Sequence, residues 1–196
     1  VRHAAAASLG QVGDARAVPA LVQVLKSEPW LQYPAIAALG EIGEPQAAPA
    51  LMALLGDELL RGPVLEALGR LAGREALPVL LPYLLDPDPG LRNLAIRAVV
   101  AIEHRATSRG ESLDPEVQAA LRREELVDHL LATLGDEEIA NRRTAAITLG
   151  WLKEPRAERP LIDLLHEAPL QEYATHALVS IGLTLVVSWR LEGSAA

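Results

Sequence analysis

The chain has 196 residues, no cysteine, no phenylalanine, three tryptophans and a formal net charge of −8. The missing thiol excludes a disulfide framework, thiolate zinc sites and cysteine nucleophiles, and the negative charge gives no attraction to phosphate backbones. Half of the residues are hydrophobic but only 3% are aromatic, so the chain can bury enough surface to fold, and its wealth of Ala and Leu favours tightly meshed helices over strands.

A triplet of small residue, aliphatic and glycine recurs along the chain, and such self-similarity is the signature of repeat architectures. Copies stand at Ser8-Leu9-Gly10, Ala38-Leu39-Gly40, Ala67-Leu68-Gly69, Thr148-Leu149-Gly150 and Ser180-Ile181-Gly182, with a degenerate one at Ala98-Val99-Val100. Successive steps are 30, 29, 31, 50 and 32 residues, the range of helical solenoids. The pattern predicts first helices over about 2–11, 31–41, 61–71, 90–104, 139–151 and 171–183. Within them Ala5 aligns with Ala35, Val64, Ala95, Ala145 and Ala177, a small residue that lets a neighbouring helix come close. Gly10, Gly40, Gly69 and Gly150 are expected near the helix ends, where a left-handed residue favours glycine.

Nine residues after three of these glycines come Pro19, Pro49 and Pro78. Each suits the first turn of a second helix, where a missing N–H is harmless. Second helices are predicted over about 16–26, 46–55, 75–85, 115–134 and 156–166. Pro82, four residues after Pro78, either bends its helix or marks the helix start after an irregular turn. One helix-turn-helix unit cannot bury both faces alone, so stacking completes the core.

Unit four carries an insertion at about 104–122. His104 to Ser112 reads as a polar loop, and Asp114-Pro115-Glu116 as an N-cap, a first-turn proline and a helpful acid. They open a helix reaching about Leu134. Such an insertion either binds a partner or is tolerated length variation. His104, Arg105 and Arg109 are therefore candidate loop contacts, joined by Trp151, which stands where other units carry Gln11, Glu41 and Arg70. The reading gives a solenoid over 1–183 and a C-terminal cap or tail over 184–196.

The run from Val1-Arg2 through Ala5, Leu9-Gly10, Gly13-Asp14 and Arg16-Ala17-Val18-Pro19-Ala20-Leu21 resembles the HEAT-like repeat first associated with phycobilin lyases. The resemblance implies an all-α fold, a right-handed α–α superhelix of the HEAT/armadillo-like solenoid type with five to six units. It also implies that the second helices line a concave surface. The outward ridge would comprise Ala20, Gln23 and Lys26; Ala50, Ala53 and Gly56; Val79, Pro82 and Leu85; His129, Ala132 and Gly135; Pro160, Asp163 and His166. Its middle is small and apolar, which marks a surface for an amphipathic helix or extended peptide. The plain alternative is that excess Ala and Leu spill onto the surface, or that the superhelix buries the strip. Acidic loops between units, such as Asp57-Glu58 and Asp136-Glu137-Glu138, read first as a solvated edge that favours helix N-termini.

No phosphate-binding glycine loop, nucleophile elbow or dinucleotide fingerprint is present. Hydroxylases with the same type of repeat carry paired His-Glu motifs, but His3 precedes Ala4, and none of the pairs aligned with it, Tyr33-Pro34 and Thr175-His176 among them, is His-Glu. Asp163, His166 and Glu167 are spaced for one helix face, too small a set for a metal site. Lys26 is the only fixed positive charge on the ridge, which argues against nucleic acid. Tyr173 to Trp189 is apolar but holds Thr175, His176 and Ser180, and it only reaches the lower limit of about 17 residues for a membrane span. No secretory signal is visible, and a start at Val1 with the single methionine Met52 reads as a fragment or a processed product. The expectation is a cytoplasmic, non-enzymatic interaction scaffold without metal or cofactor, binding a protein or peptide on the ridge and open to self-association through uncapped ends. The alternative is an enzyme subunit resembling phycobilin lyase subunits.

Overall fold

The computed structural model describes residues 2–182. Every regular element among them is helical. Six first helices are α1 (Arg2–Val12), α3 (Gln32–Ile42), α5 (Arg61–Leu71), α7 (Pro89–Thr107), α10 (Ile139–Leu152) and α12 (Gln171–Ile181). The second helices are α2 (Val18–Ser27), α4 (Ala48–Met52), α6 (Leu77–Leu80), α9 (Glu124–Thr133) and α11 (Glu158–Leu164), and α8 (Pro115–Leu121) belongs to the insertion. The predicted tail, 184–196, lies outside the described residues.

The chain divides into two compact units, Val1–Val117 and Gln118–Ala196. In the first, α1 packs on α3, α3 on α5 and α5 on α7, with α2 and α4 laid against the first helices that follow them. In the second, α10 packs on α12, flanked by α9 and α11. The cores are aliphatic: Leu39, Leu65, Leu68, Leu80 and Val99 are closed from solvent in one unit, and Leu126, Leu149, Leu161 and Leu178 in the other. Burying one such side chain stabilises by about 1.5–3 kcal/mol.

The recurring glycines do not serve where the sequence placed them. Gly10, Gly40, Gly69 and Gly150 lie inside their helices, and each faces the next first helix. A Cβ added at Gly69 would stand 2.9 Å from Ala98 Cα, and one at Gly150 would stand 2.8 Å from Ala177 Cα. They are close-approach positions. The left-handed caps come three residues later, at Gly13 (φ 69°), Gly43 (φ 76°) and Lys153 (φ 53°). The expected close-approach residue Ala5 is exposed, although its counterparts Ala35, Val64, Ala95 and Ala145 are fully buried.

The caps also correct the last repeat. Gly182 is a left-handed cap (φ 113°) whose N–H donates to Leu178 O at 3.2 Å, as Gly43 N–H does to Leu39 O at 3.0 Å. Leu178 is therefore the aliphatic of the sixth triplet, which reads Ala177-Leu178-Val179 rather than Ser180-Ile181-Gly182. Val179 follows Gly150 by 29 residues, like the early repeats, and Ala174, not Ala177, is the counterpart of Ala35.

The second helices are shorter than predicted. All but α9 start with one turn of 3-10 helix, such as Ala15–Ala17 or Pro155–Ala157, capped in these two cases by Asp14 and Glu154. α4 stops at Met52, so Ala53 to Leu55 lie in tight turns with Leu54 N–H on Leu51 O at 2.9 Å. Pro82 has no N–H to give the Pro78 carbonyl. Accordingly α6 stops at Leu80 and a 3-10 segment, Leu81–Leu85, completes the element.

The insertion differs most. α7 runs on to Thr107, because Val100 holds the glycine position and Glu103 stands where its neighbours end. His104 and Arg105 are thus helical, not loop residues. The predicted helix over 115–134 is two helices: Arg123 is extended (ψ 133°), and its carbonyl receives Leu126 N–H and Val127 N–H. Glu124 and Glu125 then favour a fresh N-terminus at α9.

Candidate functional site

Two features stand out from plain repeat packing: the ridge of the second helices and a polar latch at the insertion. On the ridge of the first unit, Ala20, Gln23 and Lys26 are exposed on α2. Ala50 is half-buried on α4, and Ala53 and Gly56 are exposed beyond its end. Val79 is 38% exposed on α6, Pro82 is exposed, and Leu85 is half-buried. In the second unit, Ala132 and Gly135 are exposed and His129 is half-buried. Asp163 and His166 are exposed, with Pro160 half-buried. In the first unit these positions form an open surface that is small and apolar on α4 and α6. Because α4 and α11 are short, Ala53 and His166 sit in the turns that follow them rather than on helical faces.

The latch is built on Glu103, whose side chain is closed from solvent. Arg74, at the turn before α6, grips it with two hydrogen bonds of 2.8 Å. Glu103 also accepts Asp114 N–H at 2.9 Å. A buried carboxylate is stable only when paired and fully hydrogen-bonded, and here all three donors converge on it. Arg74 continues outward to Glu111 at 3.1 Å and to Ser112 O at 2.5 Å. The hydrogen bond to Glu103 leads the effects that hold its guanidinium above its already high value. Arg105 reaches back from the extra turn of α7 to Gly69 O at 2.8 Å and Ala72 O at 2.6 Å, closing the carbonyl end of α5. Burial lowers its affinity for the proton.

Among the predicted loop contacts, then, Arg105 is a structural clamp and not a free contact. His104 is exposed on α7, and Arg109 is exposed beside Glu111 at 3.3 Å. Trp151 is half-buried on α10. Sequence reasoning missed Arg74 and Glu103. The available signal was an acid one turn beyond Val99-Val100, directly after the apolar run from Ala98 to Ile102.

In the second unit, Arg156 joins Glu154 at 2.9 Å, Glu124 at 2.9 Å and Asp128 at 3.0 Å, tying α9 to the turn before α11. Glu167, spaced for a metal set with Asp163 and His166, turns to Arg142 at 2.7 Å. Among the described residues no three His, Asp or Glu side chains gather as a metal group. No helix among them is long and apolar enough to cross a membrane.

The repeat geometry agrees with family comparison. The family model of HEAT repeats matches residues 1–63 and 111–182, more than half of the chain. The chain is a HEAT-repeat protein. The stretch between the two matched segments of this HEAT-repeat chain contains Val100 and the lengthened α7, where the glycine register lapses.

The HEAT-repeat chain is 33% identical over 194 residues to phycocyanobilin lyase subunit alpha of Thermosynechococcus vestitus, covering 91% of this chain and 64% of that protein. It is 33% identical over 201 residues to the subunit of the same name from Pseudanabaena tenuis, covering 94% and 67%. The chain spans about two thirds of the length of these curated relatives. Among solved structures, a designed armadillo repeat protein superposes with a TM-score of 0.61 at 19% identity, covering 91% of this chain and 92% of that one. The complex of CpcE and CpcF of phycocyanin lyase from a Nostoc species gives 0.53 at 23%, covering 92% and 65%. These likenesses place the fold in the HEAT/armadillo-like class. The lyase subunits among the relatives overturn the expectation of a non-enzymatic protein. Composition and motif searches give no sign of it because a helical-repeat sequence carries no portable catalytic signature.

Proposed function

We propose that this HEAT-repeat chain is a subunit of a bilin lyase, acting together with a second polypeptide. The observation that carries the reading is the 33% identity to phycocyanobilin lyase alpha subunits, extending over 91–94% of this chain. The small, apolar and open second-helix surface of the first unit, on α4 and α6, fits a surface that holds another protein. The protein thus binds a partner, as the scaffold reading has it, in the service of a lyase.

The test is chromophore attachment. The chain is co-expressed with a phycocyanobilin source, an acceptor phycocyanin subunit and a second lyase subunit. Coloured acceptor that survives denaturing electrophoresis, beyond the level reached without this chain, supports the reading; equal colour in both refutes it. Replacing Ala53 and Ala132 by Asp places charge on the ridge without touching the core. The doubly substituted chain is expected to keep its thermal midpoint and lose attachment.

A further inference from the structure

Three of the most exposed large apolar side chains stand along one lateral edge of the first unit. Leu59 is 87% exposed, Trp30 71% and Tyr33 62%. Trp30 and Leu59 each stand two residues ahead of a first helix, α3 and α5, and share one register 29 residues apart. Stacked helices lie about 8–10 Å apart, so the two positions adjoin. One turn on from Trp30, Tyr33 has Gly62 as its counterpart in α5. Gly62 has no side chain, and a Cβ there would meet Leu94 Cδ1 at 3.5 Å and Leu91 Cδ2 at 4.0 Å. A shallow apolar notch therefore opens beside Leu59. Pro34 and Pro63 stand four residues after Trp30 and Leu59, and neither has an N–H to return to those carbonyls. Stacking does not cover this edge. α3 is flanked by α1 and α5, and α5 by α3 and α7, yet Trp30 and Leu59 are open. Repeats added at either end of a stack lengthen such an edge and leave it open.

We infer that this edge docks a segment of a second protein in which apolar anchors are followed by lysine or arginine. Exposed tryptophan beside a notch suits the anchors. The charge follows from what surrounds Leu59. Glu58 is 82% exposed and stands 3.5 Å from Arg61. Asp57, Asp86 and Asp88 accept the backbone N–H groups of Leu59, Asp88 and Gly90 at 2.9, 2.9 and 2.8 Å, which fixes their carboxylates along the edge. The cations of this stretch are turned inward. Arg61 Nε donates to Leu55 O at 3.2 Å, and Arg92 Nε is buried. On the Trp30 side the charges balance, since Arg2 meets Glu28 at 2.8 Å and Lys26 is exposed. The edge is thus apolar at Trp30 and Tyr33 and acidic around and beyond Leu59. Helix N-termini account for the aspartates alone, but not for a leucine held open among them. A cationic segment complements that field. A second copy of this chain, with its net charge of −8, is repelled by it.

Fluorescence anisotropy of a labelled peptide, titrated with the full chain, tests this. The probe carries two leucines in its first half and four lysines in its second. One control peptide has serine for leucine, and the other has glutamate for lysine. The probe is expected to bind about tenfold more tightly than either control. Trp30→Ser combined with Leu59→Ser is expected to weaken it about tenfold and leave the thermal midpoint unchanged, since both side chains already face water. Glu58→Lys is expected to weaken it about fivefold and flatten its salt dependence. Val79→Ser, on the ridge, should leave binding unchanged. No binding, equal binding of the probe and either control, or equal binding to the native and doubly substituted chains overturns the inference. Loss of binding in Val79→Ser overturns it as well, because the peptide would then lie on the ridge. A fall in the midpoint of the doubly substituted chain also overturns it, because the edge would then already be covered. Self-association of the unmodified chain in sedimentation, abolished by the same two substitutions, would make a second copy the occupant and overturn it too. None of these readouts involves chromophore, so failure here leaves the lyase reading standing, and the reverse holds.

Discussion

Gly150→Ala is the sharpest test of the stacking register. In an open helix the change from glycine to alanine stabilises by about 1 kcal/mol, through lost freedom of the unfolded chain. Here the new Cβ would stand 2.8 Å from Ala177 Cα and 2.9 Å from Ala177 Cβ. Both opposing atoms belong to or adjoin backbone, so relief requires moving α12 off α10. Overpacking of this kind costs about 1–3 kcal/mol, and the nearness of Cα puts this case at the upper end. The net expectation is a loss of about 1–2 kcal/mol, or a fall in thermal midpoint of about 2–8 °C for a chain of this size. Gly62→Ala is the control, since its Cβ would meet only flexible side-chain methyls, Leu94 Cδ1 at 3.5 Å and Leu91 Cδ2 at 4.0 Å; it should gain up to about 0.5 kcal/mol, the following Pro63 offsetting part of the propensity gain. Gly40→Ala, at 3.1 Å from Ala67, should fall between them. Urea unfolding followed by circular dichroism reads all three. If Gly150→Ala stabilises as Gly62→Ala does, the glycines are not close-approach positions and the repeat register is wrong.

Lys153 holds a left-handed conformation that its neighbours give to glycine, so Lys153→Gly should raise stability by about 1 kcal/mol in the same urea experiment. Arg74→Met removes the clamp on Glu103, Glu111 and Ser112; trypsin cleavage after Arg109 should then quicken on the order of tenfold, a factor corresponding to about 1.4 kcal/mol of local opening. Unchanged cleavage would show that the turn is held by something else. Burial alone would raise the Glu154 carboxyl, but hydrogen bonds from the Arg156 side chain and backbone outweigh it and hold the group below 4.5. A lowered carboxylate adds stability that is complete above its unfolded value and is lost as pH falls through its folded value. Glu154→Gln should therefore flatten the loss of stability below about pH 4.5 and leave the slope near pH 7 alone, as read by thermal midpoints across pH.

The helical class, the number of first helices and their bounds were legible because a single residue pattern repeats at nearly constant spacing. Its register was less so. A glycine near a helix end suggests a cap, and only the φ values separate Gly40, which is crowded, from Gly43, which is left-handed. The last triplet slipped for the same reason, since Gly182 looks like the stacking glycine and is the cap. Second-helix lengths were overread, because hydrophobic periodicity continues through 3-10 turns such as Leu81–Leu85. The ridge was found by alignment and is exposed, but exposure names no occupant. The latch was hidden because Arg74 and Glu103 lie 29 residues apart in sequence, and neither belongs to a local motif.

The extra turn of α7 makes a mechanical splice. Arg105 grips the end of α5, and Glu103 grips both Arg74 and the start of α8. Tension applied to the turn over 108–114 is thereby delivered to the carbonyl end of α5 and the turn before α6, deep in the first unit. A molecule that seizes this turn cannot simply peel it away; it must strain two repeats at once. The insertion is thus tied to the stack at two points, placed where the glycine register gives way.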